Sequence, residues 1–328
     1  MKFYDKEDAA RLMNVYAADG IPFIFIISYS GRKALVMPVD EVDSDELLYS
    51  FGGCGNYTAV EGLGHKFTWN PQYPDYCDYK VAFGHVRDGM LRGDSYLANL
   101  TCRIPVDTDL DLKEIYMSAD APYRLWIKDT LVCFSPEKFV TIADGIISSY
   151  PMKGTIDATL PDAEKTLLAD VKEAAEHATI VDLIRNDLSM VADRVRVSRY
   201  RYVERLVTHR GALLQTSSEI TGCLPDDYVM RIGDILFALL PAGSITGAPK
   251  PRTVELIAEA ERYDRGFYTG VMGLCHGGRV DSAVMIRFID TDDCGRLCFK
   301  AGGGITAKSD CRAEYEEVMH KTYVPITL

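Results

Sequence analysis

The sequence predicts an α+β fold, and three observations support this. Segments with strand character are not regularly interleaved with helical ones, which disfavours a doubly wound parallel sheet. Residues 123–155 are rich in strand-forming residues interrupted by Asp and Gly, a pattern typical of a β meander. Apolar residues from Leu167 to Ala178 then recur at helical spacing, which predicts a helix over 162–180.

Short helix, strand and turn signals alternate over the first part of the chain. The apolar run at 20–29 is too short to cross a bilayer and predicts a buried strand. Residues 31–39 indicate a second strand. The acidic and then glycine-rich run at 40–53 predicts a solvated helix start and a loop. The run at 70–79, rich in Pro and Tyr, predicts a connection.

Longer elements follow in the rest of the chain. Residues 84–106 indicate a helix, a Gly-Asp turn and a strand. Beyond the meander and the first long helix, a second helix is expected at about 252–262. Strands are expected at 268–275 and 280–290, and a last helix begins near Ala313.

Length and charge narrow the class of protein. A chain of 328 residues suits one large domain or two fused ones, and we divide it into an N-terminal part, 1–80, and a main region, 81–328. A net charge of −12 with no basic face argues against nucleic-acid binding. A small-molecule substrate is favoured. If that substrate is an anion, local cations or a metal ion must offset the overall charge.

The cysteines and the N-terminus favour a reducing compartment. The nine cysteines include no Cys-x-x-Cys pair, and their odd number argues for free thiols in the cytoplasm. The opening run MKFYDKEDAARL is too charged for a signal peptide. We therefore expect a cytoplasmic protein with no membrane association.

Two pairs of glutamates have the spacing of one helix face. Glu173 and Glu176 lie on the first long helix, and Glu314 and Glu317 lie on the last one. Each pair by itself is most simply a solvated, self-repelling surface. If the two helices face each other, the four carboxylates would instead suit a hard cation such as Mg²⁺.

Two glycine-rich runs are candidates for contact with an anion. Residues 241–253 run into a helix, but the order of Gly and Lys there does not match a nucleotide-binding phosphate loop. Residues 300–307 place Gly302, Gly303 and Gly304 in succession after a strand, where backbone amides can approach a ligand. Structural turns are the alternative for both runs.

Several charged side chains stand in unusual settings. Lys153 lies where a strand end runs into a Gly-Thr turn, and it is either solvated or part of a pocket. Glu137 precedes it by sixteen residues, so adjacent strands of a meander would bring the acid and the amine together. Arg287 interrupts an apolar strand and needs an anionic partner, either a core carboxylate or the substrate. Arg185 and Asp187, near the end of an apolar run, are most simply a helix-terminal ion-pair cluster.

Taken together, these motifs resemble the chorismate-utilising enzymes. The resemblance covers the chain from about residue 84 to the end, and the first 80 residues match only loosely. It rests on nine runs in the family's order: GDSYLANLT, SPEKF, PMKGT, EHATIVDLIRNDL, PAGSITGAPK, GVMG, DSAVMIRF, AGGGI and EYEE. It implies large mixed or antiparallel sheets packed with flanking helices.

The residue at position 153 distinguishes the branches of this family. Lysine at this position is similar to the branch that aminates chorismate at C4, whereas the anthranilate, isochorismate and salicylate branches have alanine. The resemblance implies that Lys153 attacks C2 of chorismate and expels the C4 hydroxyl, after which ammonia adds at C4 and releases the enzyme. Glu137 would be the general acid and base that protonates the departing hydroxyl. The product, 4-amino-4-deoxychorismate, leads to 4-aminobenzoate and folate.

The resemblance also implies a magnesium site and a substrate site. Glu176 and Glu317 would bind Mg²⁺ directly, while Glu173 and Glu314 would hold metal-bound waters. The ring carboxylate would bind the metal ion, and Tyr268 and Arg287 would hold the enolpyruvyl carboxylate. The implied substrate-binding residues are Gly154, Thr155, Tyr268, Arg287, Gly302, Gly303, Gly304 and Lys321.

Two residues depart from the family's pattern, and the lack of one motif bears on the source of ammonia. Gln215 stands where many relatives have histidine, and Lys308 stands where an aspartate is usual. No glutaminase motif is present, so ammonia would come from solution or from a separate glutamine amidotransferase subunit. An aminodeoxychorismate lyase would act next. Anthranilate synthase, or another branch of the family, is the alternative, and a non-catalytic chorismate-binding subunit is a hypothesis of another class.

Overall fold

The computed structural model describes residues 1–208, 211–292 and 294–326. Within these residues eight α-helices are present. They are α1 (Lys6–Ala18), α2 (Tyr76–Leu91), α3 (Leu112–Ser118), α4 (Ala163–Ala169), α5 (Val171–Leu188), α6 (Ile232–Ala238), α7 (Lys250–Glu261) and α8 (Cys311–Lys321).

The described residues also contain eighteen strands. In chain order they are β1 (Phe23–Ile27), β2 (Ala34–Pro38), β3 (Leu47–Phe51), β4 (Cys54–Gly55), β5 (Trp69–Pro71), β6 (Leu97–Thr108), β7 (Tyr123–Ile127), β8 (Leu131–Ser135), β9 (Lys138–Ala143), β10 (Ile146–Ser149), β11 (Met152–Asp157), β12 (Asp193–Thr208), β13 (Gly211–Cys223), β14 (Gly247–Ala248), β15 (Val271–His276), β16 (Arg279–Val284), β17 (Phe288–Thr291) and β18 (Leu297–Ile305).

These strands form two nine-stranded sheets. The first has the order β11-β13-β10-β9-β16-β15-β1-β2, with β12 beside β13. The second has the order β14-β6-β18-β17-β8-β7-β3-β4, with β5 beside β6. All strand pairings among the described residues are antiparallel. The predicted α+β class is confirmed, and the first 80 residues contribute strands to both sheets.

The two sheets face each other, with helices on their outer faces. Strand β1 shows why, because all five of its residues are buried. Phe23, Phe25 and Ile27 pack with α1, α5 and α6 in one core, whereas Ile24 and Ile26 pack with residues of the second sheet. A third core joins the second sheet to α2, α3, α7 and α8. Alternate residues of one strand therefore serve two different cores.

Aspartate caps explain where several helices begin. The side chains of Asp5, Asp75, Asp111 and Asp310 each accept a backbone N–H in the first turn of the following helix. Asp170 does the same for α5 and also ends α4. The single helix predicted over 162–180 is therefore wrong, because Asp170 divides it into two helices.

The predicted β meander at 123–155 is only partly correct. Strands β7 and β8 belong to the second sheet, whereas β9 and β10 belong to the first, and β11 pairs with β13. The chain crosses between the sheets at Pro136 and Glu137. The strand predicted over 280–290 is likewise divided, since β16 lies in the first sheet and β17 in the second. Arg287 lies in this second crossing with a left-handed backbone, φ 53°.

Two other predictions of local structure are wrong. The run 40–53 contains β3, a fully buried strand, instead of a solvated helix start. The glycines at 302–304 lie inside β18 and pair with β6 instead of forming a turn after a strand. In both cases neighbouring strands determine the structure, and such neighbours are not visible in the local sequence.

One apolar stretch, Tyr228–Ile245, has the length and composition of a membrane-crossing helix. The structure divides it into a short turn at Tyr228–Arg231, the seven residues of α6, and a turn at Gly243–Ile245. At the helical rise per residue α6 is about 10 Å long, against roughly 30 Å for a bilayer core. This stretch is therefore a core segment that packs against α1.

Candidate active site

A cleft of about 120 Å³ lies between the two sheets, where the chain crosses from one to the other. Among the described residues, four cations and one carboxylate line it. Its wall is formed by Leu97, Asn99, Glu137, Pro151, Met152, Lys153, Ile180, Ser244, Ile245, Gly247, Tyr268, Ile286, Arg287, Lys300, Ala301, Gly302, Gly303, Gly304 and Lys321. The side chains of the wall thus carry net positive charge, which suits an anionic ligand, although Lys300 is paired with Asp290 and Lys321 with Glu317.

The two crossings between the sheets are bonded to each other. The N–H of Val284 donates to the Glu137 carbonyl at 3.1 Å, and the N–H of Phe134 donates to the Arg287 carbonyl at 3.1 Å. Each crossing carries one charged residue of the cleft. The backbone therefore fixes the acid and the arginine relative to each other.

Glu137 is the acid of the cleft. The residue is half-buried in the cleft wall, and this burial raises the pKa of its carboxyl above the ordinary value. The Ser244 hydroxyl, Lys153, Lys321 and Arg287 act in the opposite direction, since they favour the charged form. Glu137 therefore has the surroundings of a general acid that can hold a proton and release it.

Lys153 reaches the cleft from a bulged strand. The pairing of β11 with β13 shifts register between Lys153 and Thr155, and Gly154 there has φ 73°. Thr216 of β13 donates its hydroxyl to the Lys153 carbonyl. An added Cβ at Gly304 would lie 3.8 Å from the Lys153 Nζ. The Lys153 ammonium is therefore at the glycine run of β18.

The predicted neighbourhood of Lys153 and Glu137 is confirmed, but the predicted cause is wrong. The two residues do not lie on adjacent strands of a meander, because β13 and β10 separate β11 from β9 in the sheet. They meet because Glu137 lies where the chain crosses from the second sheet to the first, and the bulge of β11 turns Lys153 towards the same space. Both line the cleft.

The glycine run lies at a partly open strand edge. Among the described strands, β6 pairs with residues 298–305 of β18, whereas β17 pairs only with 297–300 on the other side. Lys321 donates to the Gly302 carbonyl at 3.1 Å on that open edge. A Cβ at Gly302 would lie 2.6 Å from the Leu100 carbonyl, so only glycine fits there. The open edge offers backbone groups to a ligand.

Tyr268 and Arg287 lie together on another part of the wall. Tyr268 is buried, and this burial raises the pKa of its hydroxyl. The Arg287 guanidinium lies 5.5 Å from the centre of the Tyr323 ring, a cation–π contact. An arginine and a phenol at one end of a positive cleft are suitable for binding a carboxylate.

Two predicted substrate-binding residues, Gly154 and Thr155, lie beside the cleft and are not part of its wall. Thr155 is exposed and pairs with Gln215 of β13. Gln215 thus lies on the neighbouring strand, near the bulge that carries Lys153. Lys308 is exposed, and its N–H donates to the Thr306 hydroxyl at 3.3 Å in the turn after β18.

Three of the four glutamates lie beside glycines of this region. A Cβ at Gly303 would lie 3.3 Å from a Glu314 carboxylate oxygen and 3.6 Å from one of Glu317, and a Cβ at Gly154 would lie 3.3 Å from one of Glu173. Glu314 is buried, and Glu317 forms an ion pair with Lys321. The described residues contain no preassembled group of three or more His, Cys, Asp or Glu ligands. The carboxylate oxygens on α5 and α8 nevertheless are the donor type that Mg²⁺ prefers.

The structure adds cleft residues that the sequence did not reveal. Lys300 is buried, with its Nζ 2.6 Å from Asp290 and 3.0 Å from the Arg265 carbonyl. The side-chain oxygen of Asn99 is buried on the cleft wall without a hydrogen-bond partner. The sequence offered one indication of Lys300, since it is a charged residue within the apolar run that precedes the three glycines. Asn99 gave no such signal.

His177 lies beneath the site, one residue after Glu176. It is fully buried, and its Nε2 lies 2.6 Å from the Ser218 hydroxyl. Burial lowers its pKa to about 4, and the charges of Arg201 and Lys153 act in the same direction. His177 is therefore neutral near neutral pH and does not compete with Lys153 for an anion.

Comparison with known proteins places this cleft in a family context. The family profile described as chorismate binding enzyme matches residues 50–327. An uncharacterized PabA-like protein of Haemophilus influenzae is 46% identical over 95% of this chain and 95% of its own length. Aminodeoxychorismate synthase component 1 of Salmonella typhimurium is 34% identical over 75% of this chain. Anthranilate synthase component 1 of Pseudomonas aeruginosa is 33% identical over 74% of it.

These two named synthases are longer proteins, and the match spans 56% and 51% of their lengths. Among solved structures, the menaquinone-specific isochorismate synthase of Escherichia coli superposes with a TM-score of 0.74. That match covers 98% of this chain and 82% of the other at 16% identity, and so it shows the fold alone.

Proposed function

Because this chain belongs to the chorismate binding enzyme family, we propose that it aminates chorismate at C4 to give 4-amino-4-deoxychorismate. The observation that carries this proposal is the presence of Lys153 and the half-buried Glu137 in one cleft whose wall carries net positive charge. A lysine there offers a nucleophile that an alanine would not. The enzyme acts on chorismate in either case, and the C4 amination is the proposed step.

The geometry suggests how the substrate is held. Chorismate carries two carboxylates, and the cleft offers cations at two places: Arg287 near Tyr268, and Lys321 at the open edge of β18. We assign the enolpyruvyl carboxylate to the first place and the ring carboxylate to the second. The ring then lies between Lys153 and Glu137.

The chemical steps follow from this placement. The Lys153 ammonium first loses a proton to solvent, and the neutral amine then attacks C2 while the ring double bond shifts and the C4–O bond breaks. Glu137 donates its proton, so that the C4 hydroxyl leaves as water. Ammonia then forms a bond to C4, the double bond shifts back, and the C2–N bond to Lys153 breaks. Glu137 is left as a carboxylate that accepts a proton from the incoming ammonia.

Glu173, Glu176, Glu314 and Glu317 are the residues that would hold Mg²⁺. The ion would supply positive charge to the ring carboxylate. Glu314 and Glu317 adjoin Gly303 on the cleft wall, so an ion that they hold would lie near the open edge of β18. These ligand assignments belong to the proposal.

Ammonia would come from free ammonium or from a separate glutamine amidotransferase subunit. An aminodeoxychorismate lyase would convert the product to 4-aminobenzoate in the cytoplasm. The second candidate function is anthranilate synthesis, which the similar identity of the anthranilate synthase relative supports. Lys153 argues against it, because the anthranilate branch has alanine at the corresponding position.

Product identification tests the proposal. Purified protein is incubated with chorismate, Mg²⁺ and ammonium, and the products are separated and identified by mass. We expect an aminodeoxychorismate mass that added lyase converts to 4-aminobenzoate. Anthranilate as the sole product would refute the C4 assignment while leaving the family intact. No turnover with ammonium or with glutamine and an amidotransferase subunit would favour a non-catalytic chorismate-binding protein.

The Lys153→Ala variant then tests the nucleophile. We expect it to lose most of the amination turnover while still binding chorismate. Unchanged turnover and product would contradict a covalent role for Lys153. Calorimetric titration with chorismate, with and without Mg²⁺, separates loss of chemistry from loss of binding.

A further inference from the structure

An ion pair that the proposed mechanism does not use lies behind Glu137. Asp187 is near the end of α5, and Lys250 is the first residue of α7. Their side chains are 2.8 Å apart and only 13% and 17% exposed, respectively. Lys250 also donates to the Leu239 carbonyl at 3.0 Å. This pair joins two of the sequence runs that drew attention, IRNDL and GAPK.

Asp187 and Glu137 line a second, smaller cavity. This space of about 20 Å³ lies behind the cleft, and Ser244 lines it as well. The rest of its wall is largely apolar and includes Phe139 and Ile184. A charge acts more strongly across such a space than through water. We therefore expect a change in the charge of Asp187 or Lys250 to shift the protonation of Glu137.

A backbone turn connects the pair to Glu137 directly. The backbone N–H of Gly243 acts on the Asp187 carboxylate, and a Cβ at Gly243 would lie 2.6 Å from that carboxylate. Ser244 is the next residue, and its hydroxyl is a hydrogen-bond donor towards Glu137. Lys250, Asp187, the Gly243–Ser244 turn and Glu137 thus form a continuous series of contacts.

We propose that Asp187, held by Lys250, is a positioning residue that fixes the Gly243–Ser244 turn against Glu137 and balances the charge behind it. This inference rests on the proposed role of Glu137 as general acid. The groups that face Glu137 are Lys153 from β11, Lys321 from α8, Arg287 from the second crossing and Ser244 from the turn. Lys138, the first residue of β9, also lines the second cavity. Those that face Asp187 are Lys250 and the Gly243 N–H.

Two substitutions should move the pH dependence in opposite directions. Asp187→Asn leaves the Lys250 charge unbalanced behind Glu137, which favours the ionised carboxylate. The alkaline limb of kcat, where the acid loses its proton, then moves to lower pH. Lys250→Met leaves the Asp187 charge unbalanced and moves that limb to higher pH. A purely structural pair would not produce shifts of opposite sign.

Turnover itself should fall as well. Misplacing a catalytic group by about 1 Å can cost about 100-fold in rate, so for a smaller displacement we expect roughly a tenfold lower kcat for Asp187→Asn. The KM for chorismate should stay within about twofold, because the pair does not contact the substrate. The matched control is Asp182→Asn on the same helix, whose ion pair with Arg185 at 2.6 Å is exposed.

The experiment measures ammonium-dependent product formation across neutral and alkaline pH for the full chain and these variants. A loss of folded protein lowers the height of the pH profile but does not move its limb, so partial misfolding leaves the test valid. The proposal is overturned if the Asp187→Asn limb coincides with that of the parent protein, or if both variants shift it in one direction.

Glu137→Gln in the same series separates the two hypotheses. If Glu137→Gln keeps full turnover, the general-acid role fails, and the inference fails with it. If Glu137→Gln loses turnover but the Asp187→Asn limb is unmoved, only the positioning role fails.

Discussion

Replacing Glu261 by glutamine should destabilise the protein strongly, because it leaves Arg265 as an unbalanced charge in the interior. The two side chains are 1% and 2% exposed and lie 2.6 Å apart. The Glu261 carboxylate also accepts the backbone N–H and the hydroxyl of Thr101, each at 2.8 Å. Glutamine keeps the shape of the side chain but loses its charge. Breaking such a buried pair on one side costs about 3–5 kcal/mol.

The size of the thermal effect follows from the length of the chain. At about 2.1 cal/mol/K per residue, 328 residues give an unfolding entropy of roughly 0.7 kcal/mol/K. A loss of about 3–5 kcal/mol therefore lowers the melting temperature by roughly 4–7 °C. The assay is thermal unfolding followed by circular dichroism, with urea unfolding as a second measure.

The same α7 helix provides a control. Glu255 forms an exposed ion pair with Arg252 at 2.7 Å, and exposed pairs contribute about 0–1 kcal/mol. Glu255→Gln should therefore lower the melting temperature by no more than about 1–2 °C. If Glu261→Gln and Glu255→Gln melt at the same temperature, the buried pair does not stabilise the protein as argued.

Glu261 also affects the cleft. Arg265 donates to the backbone carbonyls of Asn99 and Ile245, both residues of the cleft wall, and its own carbonyl accepts from Lys300. Loosening Arg265 should therefore raise the KM for chorismate in Glu261→Gln. An unchanged KM in a destabilised variant would show that the wall does not depend on this pair.

Three further outcomes are expected. Glu137→Gln should lower turnover by about 10²–10⁴-fold, because the amide cannot donate the carboxyl proton. Product formation measures this loss, and calorimetry should show little change in chorismate affinity. The raised pKa of Glu137 also predicts that the parent enzyme loses turnover only as the pH rises through a value above the pKa of an ordinary carboxyl. Gly303→Ala should raise the Mg²⁺ concentration needed for half-maximal turnover, because the added methyl would lie 3.3 Å from Glu314 and 3.6 Å from Glu317. An unchanged Mg²⁺ titration would contradict the glutamate site. Gly84→Ala should stabilise the protein by about 0.5–1 kcal/mol in urea unfolding, because Gly84 lies within α2 and nothing lies within 4 Å of the added Cβ; destabilisation would count against this view of the helix surface.

The sequence identified residues of the cleft better than it identified the architecture around them. Lys153, Glu137, Arg287 and Lys321 were all singled out, and all line one cleft. Their types and local motifs carry this information, so it can be recognised without knowing which strands are neighbours. Lys300 and Asn99 escaped notice because their burial on the wall depends on residues far away in the sequence.

Boundaries that depend on tertiary pairing were less predictable. Asp170 is compatible with a helix interior by composition, and only its cap to Glu173 shows that it separates two helices. The glycines of β18 are unfavourable in a strand, yet β6 pairs with all three. Strand β3 is buried on both faces, so it lacks the alternation that identifies a strand with one exposed face.

The two sheet crossings explain why the predicted and observed structures differ at the residues that matter for function. A strand inside a sheet directs its side chains to the two faces, where the cores already fill the space. A residue between sheets is released from that alternation and can direct its side chain into the gap between them. Glu137 and Arg287 both occupy such positions, and their crossings are held together by two backbone hydrogen bonds. An interrupted apolar run that carries one charged residue therefore marked a change of sheet here, and the charge that interrupts the run became part of the cleft.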